Sequence, residues 1–243
     1  MKVFGLIGYP LGHSFSKDYF TKKFSDENIN NCLYKNFEIE SLDNFRSLIK
    51  NQANLSGLNV TIPYKEKVLK YIDHVDDIAK EIGSVNVIRI IDNKLFGFNS
   101  DYIGFKSTLE KWLPNRSFNA LVLGSGGSSK AICFALKELG INFEIVSTSN
   151  SSFLSYDDIK EKDVYKKNKL IINTTPLGMY PDVNSYPKIQ YNYLDENSFV
   201  YDLVYNPRLT TFLSMAQERG SNIKNGLEML EAQAIESWNI WNK

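Results

Sequence analysis

The chain opens with an apolar run, residues 3–8, that reads as a buried strand and ends in the turn-rich stretch Gly8-Tyr9-Pro10-Leu11-Gly12. Ser16 is expected to cap a helix running to about Glu27, and residues 33–39 to form the next strand. Ser41 opens a second helix whose Leu42, Phe45, Leu48 and Ile49 share one face. Residues 58–62 then alternate: Leu58, Val60 and Ile62 face one way, Asn59 and Thr61 the other. Residues 84–91 and 95–99 read as a hairpin turning at Asp92-Asn93, with Asn86 and Asn99 opposite their apolar neighbours.

The second half has a different texture. A helix from about Asp101, with Tyr102, Phe105, Leu109 and Trp112, leads to Pro114 as a domain crossing. The strands beyond are short: residues 120–123, 143–146, 170–173 and 199–202. The first runs into Gly124-Ser125-Gly126-Gly127-Ser128-Ser129 and then a helix reaching Gly140. Such a strand–helix–strand series predicts a parallel sheet with crossover helices. The last helix, residues 227–241, carries Leu230, Ala234, Trp238 and Trp241 on one stripe.

Composition narrows the function classes. With 28 basic and 28 acidic residues the formal net charge is zero, which leaves no electrostatic footprint for nucleic acid or an anionic membrane. No segment approaches the roughly 18 consecutive apolar residues of a membrane span. The N-terminal apolar run is too short for a signal peptide, so a soluble cytoplasmic protein is expected. Cys32 and Cys133 lie far apart and read as reduced thiols, and two histidines do not make a zinc site. No metal is expected.

A strand, a glycine-rich turn and a helix together present backbone N–H groups to a pyrophosphate at the helix N-terminus. Gly124 permits the tight turn, Gly126 lets a phosphate approach, and Ser129 stands where the usual fingerprint has its third glycine. With a second strand about 20 residues on, the pattern points to a dinucleotide. In the first half, polar residues recur at strand ends: Ser14, Ser16, Asn59, Thr61, Lys65, Asn86, Asn99 and Asp101. Singly, each has a plain structural explanation: a cap for Ser16 or Asp101, a satisfied strand amide for Asn86, a solvated charge run for Lys65. His13 alone reads as a turn residue.

Their joint pattern resembles the shikimate dehydrogenase family. The matching stretches include Gly8-Tyr9-Pro10-Leu11-Gly12-His13-Ser14-Phe15-Ser16, Gly57-Leu58-Asn59-Val60-Thr61-Ile62-Pro63-Tyr64-Lys65 and Gly83-Ser84-Val85-Asn86. Further on come Asn99-Ser100-Asp101-Tyr102-Ile103-Gly104, the loop at residues 124–130, and Asn173-Thr174-Thr175-Pro176-Leu177-Gly178-Met179. Asp202-Leu203-Val204-Tyr205-Asn206-Pro207 and Asn225-Gly226-Leu227-Glu228-Met229-Leu230-Glu231-Ala232-Gln233-Ala234 complete the series.

The resemblance implies an α/β protein of two domains. Residues 1–101 with 226–243 would form the substrate-binding domain, its last helix returning to the first half. Residues 102–225 would form a Rossmann-like, doubly wound nucleotide domain. It further implies reversible reduction of 3-dehydroshikimate to shikimate with NADP, by a monomer or homodimer. Lys65 and Asp101 would be the acid–base pair. Ser14 and Ser16 would hold the substrate carboxylate, and Thr61, Lys65, Asn86, Asp101 and Gln233 the ring hydroxyls. Gly124, Ser125, Gly126, Gly127, Ser128, Thr148, Thr174 and Leu203 would bind the cofactor, with Tyr205, Gly226 and Met229 on its nicotinamide side. A lysine suits the role, because desolvation favours its neutral form and a nearby carboxylate its protonated one.

Two departures stand out. Where the family carries an Asn-Arg-Thr segment after the second nucleotide-domain strand, this chain has Ser147-Thr148-Ser149, and Ser152 beyond. Without a bidentate arginine, discrimination of NADP over NAD should weaken by about 1.5–3 kcal/mol. Tyr102 replaces the glycine usual after the aspartate, either narrowing the site entrance or packing at the domain boundary. A quinate or quinate/shikimate dehydrogenase using NAD, and a non-catalytic shikimate or quinate sensor, are the alternatives.

Overall fold

The structure, a computed structural model, describes residues 1–12, 15–114 and 117–243. By contacts the chain divides into two compact units, Met1–Ser100 with Ala234–Lys243, and Asp101–Gln233.

The first unit opens with β1 (Lys2–Gly8), α1 (Phe15–Asp26), β2 (Cys32–Glu38), α2 (Phe45–Asn51) and β3 (Leu55–Val60). β4 (His74–Val75), α3 (Asp77–Ile82), β5 (Val87–Ile91) and β6 (Lys94–Phe98) follow. The six strands lie in the order β2-β1-β3-β5-β6-β4. β1 pairs in parallel with both β2 and β3, whereas β5 runs antiparallel to β3 and β6. The hairpin turns at Asp92 and Asn93, both with positive φ, the conformation that a tight turn matching strand twist requires.

Helices cover both faces of this sheet. Phe20 and Phe24 of α1 pack with Phe4, Leu6 and Trp241 on one side, and Phe45 of α2 packs with Val3, Ile7 and Leu58 on the other. A strand covered on both sides leaves no solvent face, so the alternation in residues 58–62 does not alternate in exposure, and Asn59 is buried. Two expectations are corrected here. Helix α1 starts before Ser16, which is buried in its first turn rather than capping it. Ser41 caps a short 3-10 turn ahead of α2, accepting from the Asp43 N–H.

The second unit begins with α4 (Asp101–Trp112), β7 (Ala120–Leu123), α5 (Gly127–Glu138), β8 (Phe143–Val146) and α6 (Lys162–Lys167). It continues with β9 (Leu170–Asn173), β10 (Phe199–Asp202), α7 (Thr211–Gln217) and β11 (Asn222–Lys224). Its five strands are all parallel, in the order β11-β10-β9-β7-β8. Phe105, Leu109, Ile132 and Leu136 of α4 and α5 cover one face. Tyr165, Phe212 and Leu213 of α6 and α7 cover the other. This is the doubly wound arrangement the strand pattern implies.

The last helix, α8 (Leu227–Asn242), begins in the second unit and ends in the first. Met229 belongs to the core built on Ala120, Val122 and Tyr201, so residues 226–233 group with the second unit rather than with the 226–243 segment expected from the sequence. Tyr102 packs edge-on against Phe134 of α5, ring centroids 5.2 Å apart, and so has a packing role within that unit. Among the described residues, no helix is long and apolar enough to cross a membrane.

Candidate active site

In the first unit β1 is the switch strand: β2 and β3 flank it, and the connections to them cross on opposite faces. A crevice forms at the carboxyl end of such a strand, because the two connecting chains leave in opposite directions. Two loops meet there. The Thr61 N–H donates to the Ile7 carbonyl at 2.9 Å, and the Tyr9 N–H to the Ile62 carbonyl at 3.1 Å. Thr61 and Lys65 are half-buried just past β3. The Lys65 carbonyl accepts from the Val85 N–H at 2.8 Å, which fixes the backbone carrying the ammonium. His13 and Ser14 lie outside the described residues.

Asn86 is buried beside these loops. Its N–H donates to the Phe98 carbonyl and its own carbonyl accepts from the Val60 N–H, so it bridges β6 and β3 just ahead of β5. Its Oδ1 accepts from the Ser100 N–H at 2.6 Å, and its Nδ2 donates to Ser100 Oγ at 3.0 Å. Asn99 is held through Nδ2 by the Ser84 carbonyl at 2.9 Å. These bonds shape the chain immediately before Asp101, which is buried and opens α4. A carboxylate in the first turn of a helix is stabilised by the unpaired N–H groups there.

The second unit has its own switch point. β8 and β9 flank β7, so the crevice falls at the carboxyl end of β7, where residues 124–127 turn into α5. Gly124 has φ +112°, a conformation open to glycine, and Thr174 Oγ1 donates to the adjacent Leu123 carbonyl at 2.7 Å. Around Gly126 an added Cβ would meet nothing within 4 Å, so the loop has the open side that a pyrophosphate needs. Ser129 takes over the third glycine's place by donating from Oγ to the Gly124 carbonyl at 2.7 Å. Ser128 is half-buried in the same first turn.

Beyond β8 the side chains are uncharged from Ser147 to Phe153. Ser147 Oγ lies 2.8 Å from Ser125 Oγ and accepts from the Ser149 N–H, while Thr148 and Ser149 face solvent. At the carboxyl edge of the same sheet, Asp202 is fully buried at the end of β10. Its Oδ1 accepts from Asn173 Nδ2 at 2.9 Å and from the Val204 N–H at 3.0 Å, and its Oδ2 from Thr210 Oγ1 at 2.6 Å. Burial pushes this carboxyl up to about 6, against the pull of those three donors. Asn173 in turn accepts from the N–H and hydroxyl of Thr175, so one carboxylate ties together the loops after β9 and β10.

Leu203 and Tyr205 are half-buried on the loop after β10, and burial raises the Tyr205 hydroxyl pKa. Gly226 presses on the Leu203 backbone, leaving no room for a side chain. Met229 is mostly enclosed in the core, and Gln233 is buried with Nε2 donating to the Leu230 carbonyl at 2.9 Å. Sequence reasoning singled out neither Asp202 nor the buried hydroxyls of Tyr34 and Ser237. The signal for Asp202 is legible in retrospect: a carboxylate closes an otherwise apolar strand at its carboxyl end.

A parallel doubly wound sheet with a glycine loop at its switch point defines a Rossmann-type protein, here joined to a second α/β unit. The model for the shikimate dehydrogenase substrate binding domain matches residues 6–88. The shikimate dehydrogenase (NADP(+)) of Clostridium beijerinckii is 39% identical, covering 100% of this chain and 93% of that protein. A crystal structure of shikimate dehydrogenase 1 from Peptoclostridium difficile superposes with a TM-score of 0.88 at 36% identity, covering 100% of this chain and 92% of that one. The Thermus thermophilus enzyme, solved with NADP(H) and shikimate, gives 0.87 at 27% identity, covering 99% and 93%. The chain belongs to the shikimate dehydrogenase family.

Proposed function

We propose that the protein is an NADP-dependent shikimate dehydrogenase, reversibly reducing 3-dehydroshikimate to shikimate. The observation that carries this reading is its full-length likeness to proteins named for that activity. Neither the quinate nor the sensor alternative is favoured by those names.

The glycine loop and α5 N-terminus suit the pyrophosphate: Gly124, whose own N–H bonds to the Val146 carbonyl, makes the turn, and Ser125, Gly126, Gly127 and Ser128 offer N–H and hydroxyl donors. Thr148, Thr174 and Leu203 are further cofactor contacts in this reading, with Tyr205, Gly226 and Met229 on the nicotinamide side. The bound cofactor supplies or accepts a hydride. Ser14 and Ser16 bind the substrate carboxylate, and Thr61, Asn86 and Gln233 its ring hydroxyls.

Lys65 and Asp101 carry the proton chemistry. As the ketone becomes an alcohol, its oxygen gains negative charge and needs a proton. The Lys65 ammonium gives one up, becomes an amine, and is recharged from solvent. Asp101 favours the protonated lysine and orients it, as a carboxylate does for a cation. In the oxidative direction the amine removes the hydroxyl proton.

Replacing Lys65 with alanine tests the assignment. Turnover is expected to fall by orders of magnitude, with shikimate binding by calorimetry largely kept. Near-normal turnover would remove Lys65 from the mechanism.

A further inference from the structure

The first unit contains a buried run of polar side chains whose middle members have no part in the proposed chemistry. Tyr34 on β2 is buried under Phe20, their rings stacked at 4.7 Å, and the neighbouring Ser16 side chain partly offsets the rise that burial imposes on its hydroxyl pKa. The same hydroxyl donates to Asn59 Oδ1 at 2.8 Å. Asn59 Nδ2 donates to Ser237 Oγ at 2.9 Å, and Ser237 Oγ lies 3.2 Å from Ser100 Oγ. Ser100 holds both ends of the Asn86 amide. Tyr34, Asn59, Ser100 and Ser237 are all buried, Ser100 and Ser237 completely.

A buried polar network of this kind is held in one arrangement, because each unmade bond would leave a desolvated donor or acceptor. Its two ends are Ser16 and Asn86, both assigned to the substrate. Ser237 is the middle link and comes from a different part of the chain, one helical turn along α8 from Gln233. An alanine at 237 would satisfy the helix and the packing equally well, so the hydroxyl at this place is explained by the bonds it makes.

We propose that Ser237 is a positioning residue for substrate: through Ser100 it holds the Asn86 amide, and through Asn59 and Tyr34 it holds Ser16. The inference rests on the reading of Ser16 and Asn86 as substrate contacts. It touches neither the hydride nor the proton, so its signature is in substrate affinity rather than in cofactor affinity.

Steady-state kinetics on the full chain test it. Ser237→Ala is expected to raise the KM for shikimate at least tenfold while the KM for NADP stays within twofold. Tyr34→Phe, which cuts the run beyond Asn59, is expected to act in the same direction. Ser237→Cys, close to serine in volume and a weaker hydrogen-bonding partner, should fall between alanine and wild type, and it serves if the alanine variant does not fold. A shikimate KM within twofold of wild type in the folded variants overturns the proposal, whatever happens to the melting temperature. So does an equal rise in both KM values, which indicates general loosening. If Lys65→Ala also turns over normally, the site assignment itself has failed. If Lys65→Ala is inactive and only the serine and tyrosine variants behave as wild type, the positioning role alone is lost.

Discussion

Asp202→Asn should change how stability depends on pH, and the change has a definite sign. Burial raises this carboxyl from an ordinary 3.8 to about 6, so the folded chain holds the proton more tightly than the unfolded chain. The stabilisation from this group is therefore complete below 3.8 and is lost as pH rises through about 6. At about 1.36 kcal/mol per pH unit the whole effect is ~3 kcal/mol, of which about 2 kcal/mol falls between pH 4.5 and 7.5. Asparagine is nearly isosteric, keeps an oxygen for Asn173 Nδ2 and the Val204 N–H, and offers Thr210 a donor that its hydroxyl can accept by turning. Urea unfolding of both proteins at several pH values, followed by circular dichroism, isolates the effect, since other titrating groups cancel in the difference. The advantage of wild type over the variant should shrink by about 2 kcal/mol from pH 4.5 to 7.5. A difference that stays flat or grows with pH would mean that the three donors outweigh burial, and the account of Asp202 would be wrong.

Two further predictions concern the cofactor and the C-terminal helix. With no cation from Ser147 to Phe153, the ratio of kcat/KM for NADP over NAD should stay below about a thousandfold. Ser149→Arg should then raise it at least about tenfold by adding a charge-assisted bond to the 2′-phosphate, as the worth of such a bond implies; an unchanged ratio would place the 2′-phosphate elsewhere. Trp241 stacks on Phe4 at 4.7 Å and donates from Nε1 to the Ile88 carbonyl at 3.0 Å. Trp241→Ala should cost about 3–5 kcal/mol in urea unfolding, and a loss below about 1 kcal/mol would show that the helix end is dispensable to the first unit.

Much of this architecture was legible in the sequence because it rests on local signals. The apolar strands at residues 120–123, 170–173 and 199–202, the glycine turn after the first of them, and the Asp92-Asn93 hairpin all depend on side chains close together in the chain. The short elements were harder to read. The two residues of β4 and the three of β11 carry too little pattern to be seen, and both exist because a longer strand beside them offers unpaired backbone groups. At Asn59 the facing was legible but the burial was not. Alternation implies one wet face, yet the end of α8 lies 178 residues away in sequence and removes that face from water.

The site divides in the same way. Lys65, Asp101 and Asn86 are candidates through family-like motifs of adjacent residues, and the glycine loop through its strand–turn–helix pattern, so all four are proposed from the sequence. What only the tertiary structure decided is how those residues are held. Asp202 bonds to Asn173 and Thr210, and Ser237 bonds to Asn59 beside Ser100, and neither set has any spacing that announces it. The reason is physical: a hydrogen bond between buried groups depends on where folding brings two atoms, and distance along the chain carries almost no information about that.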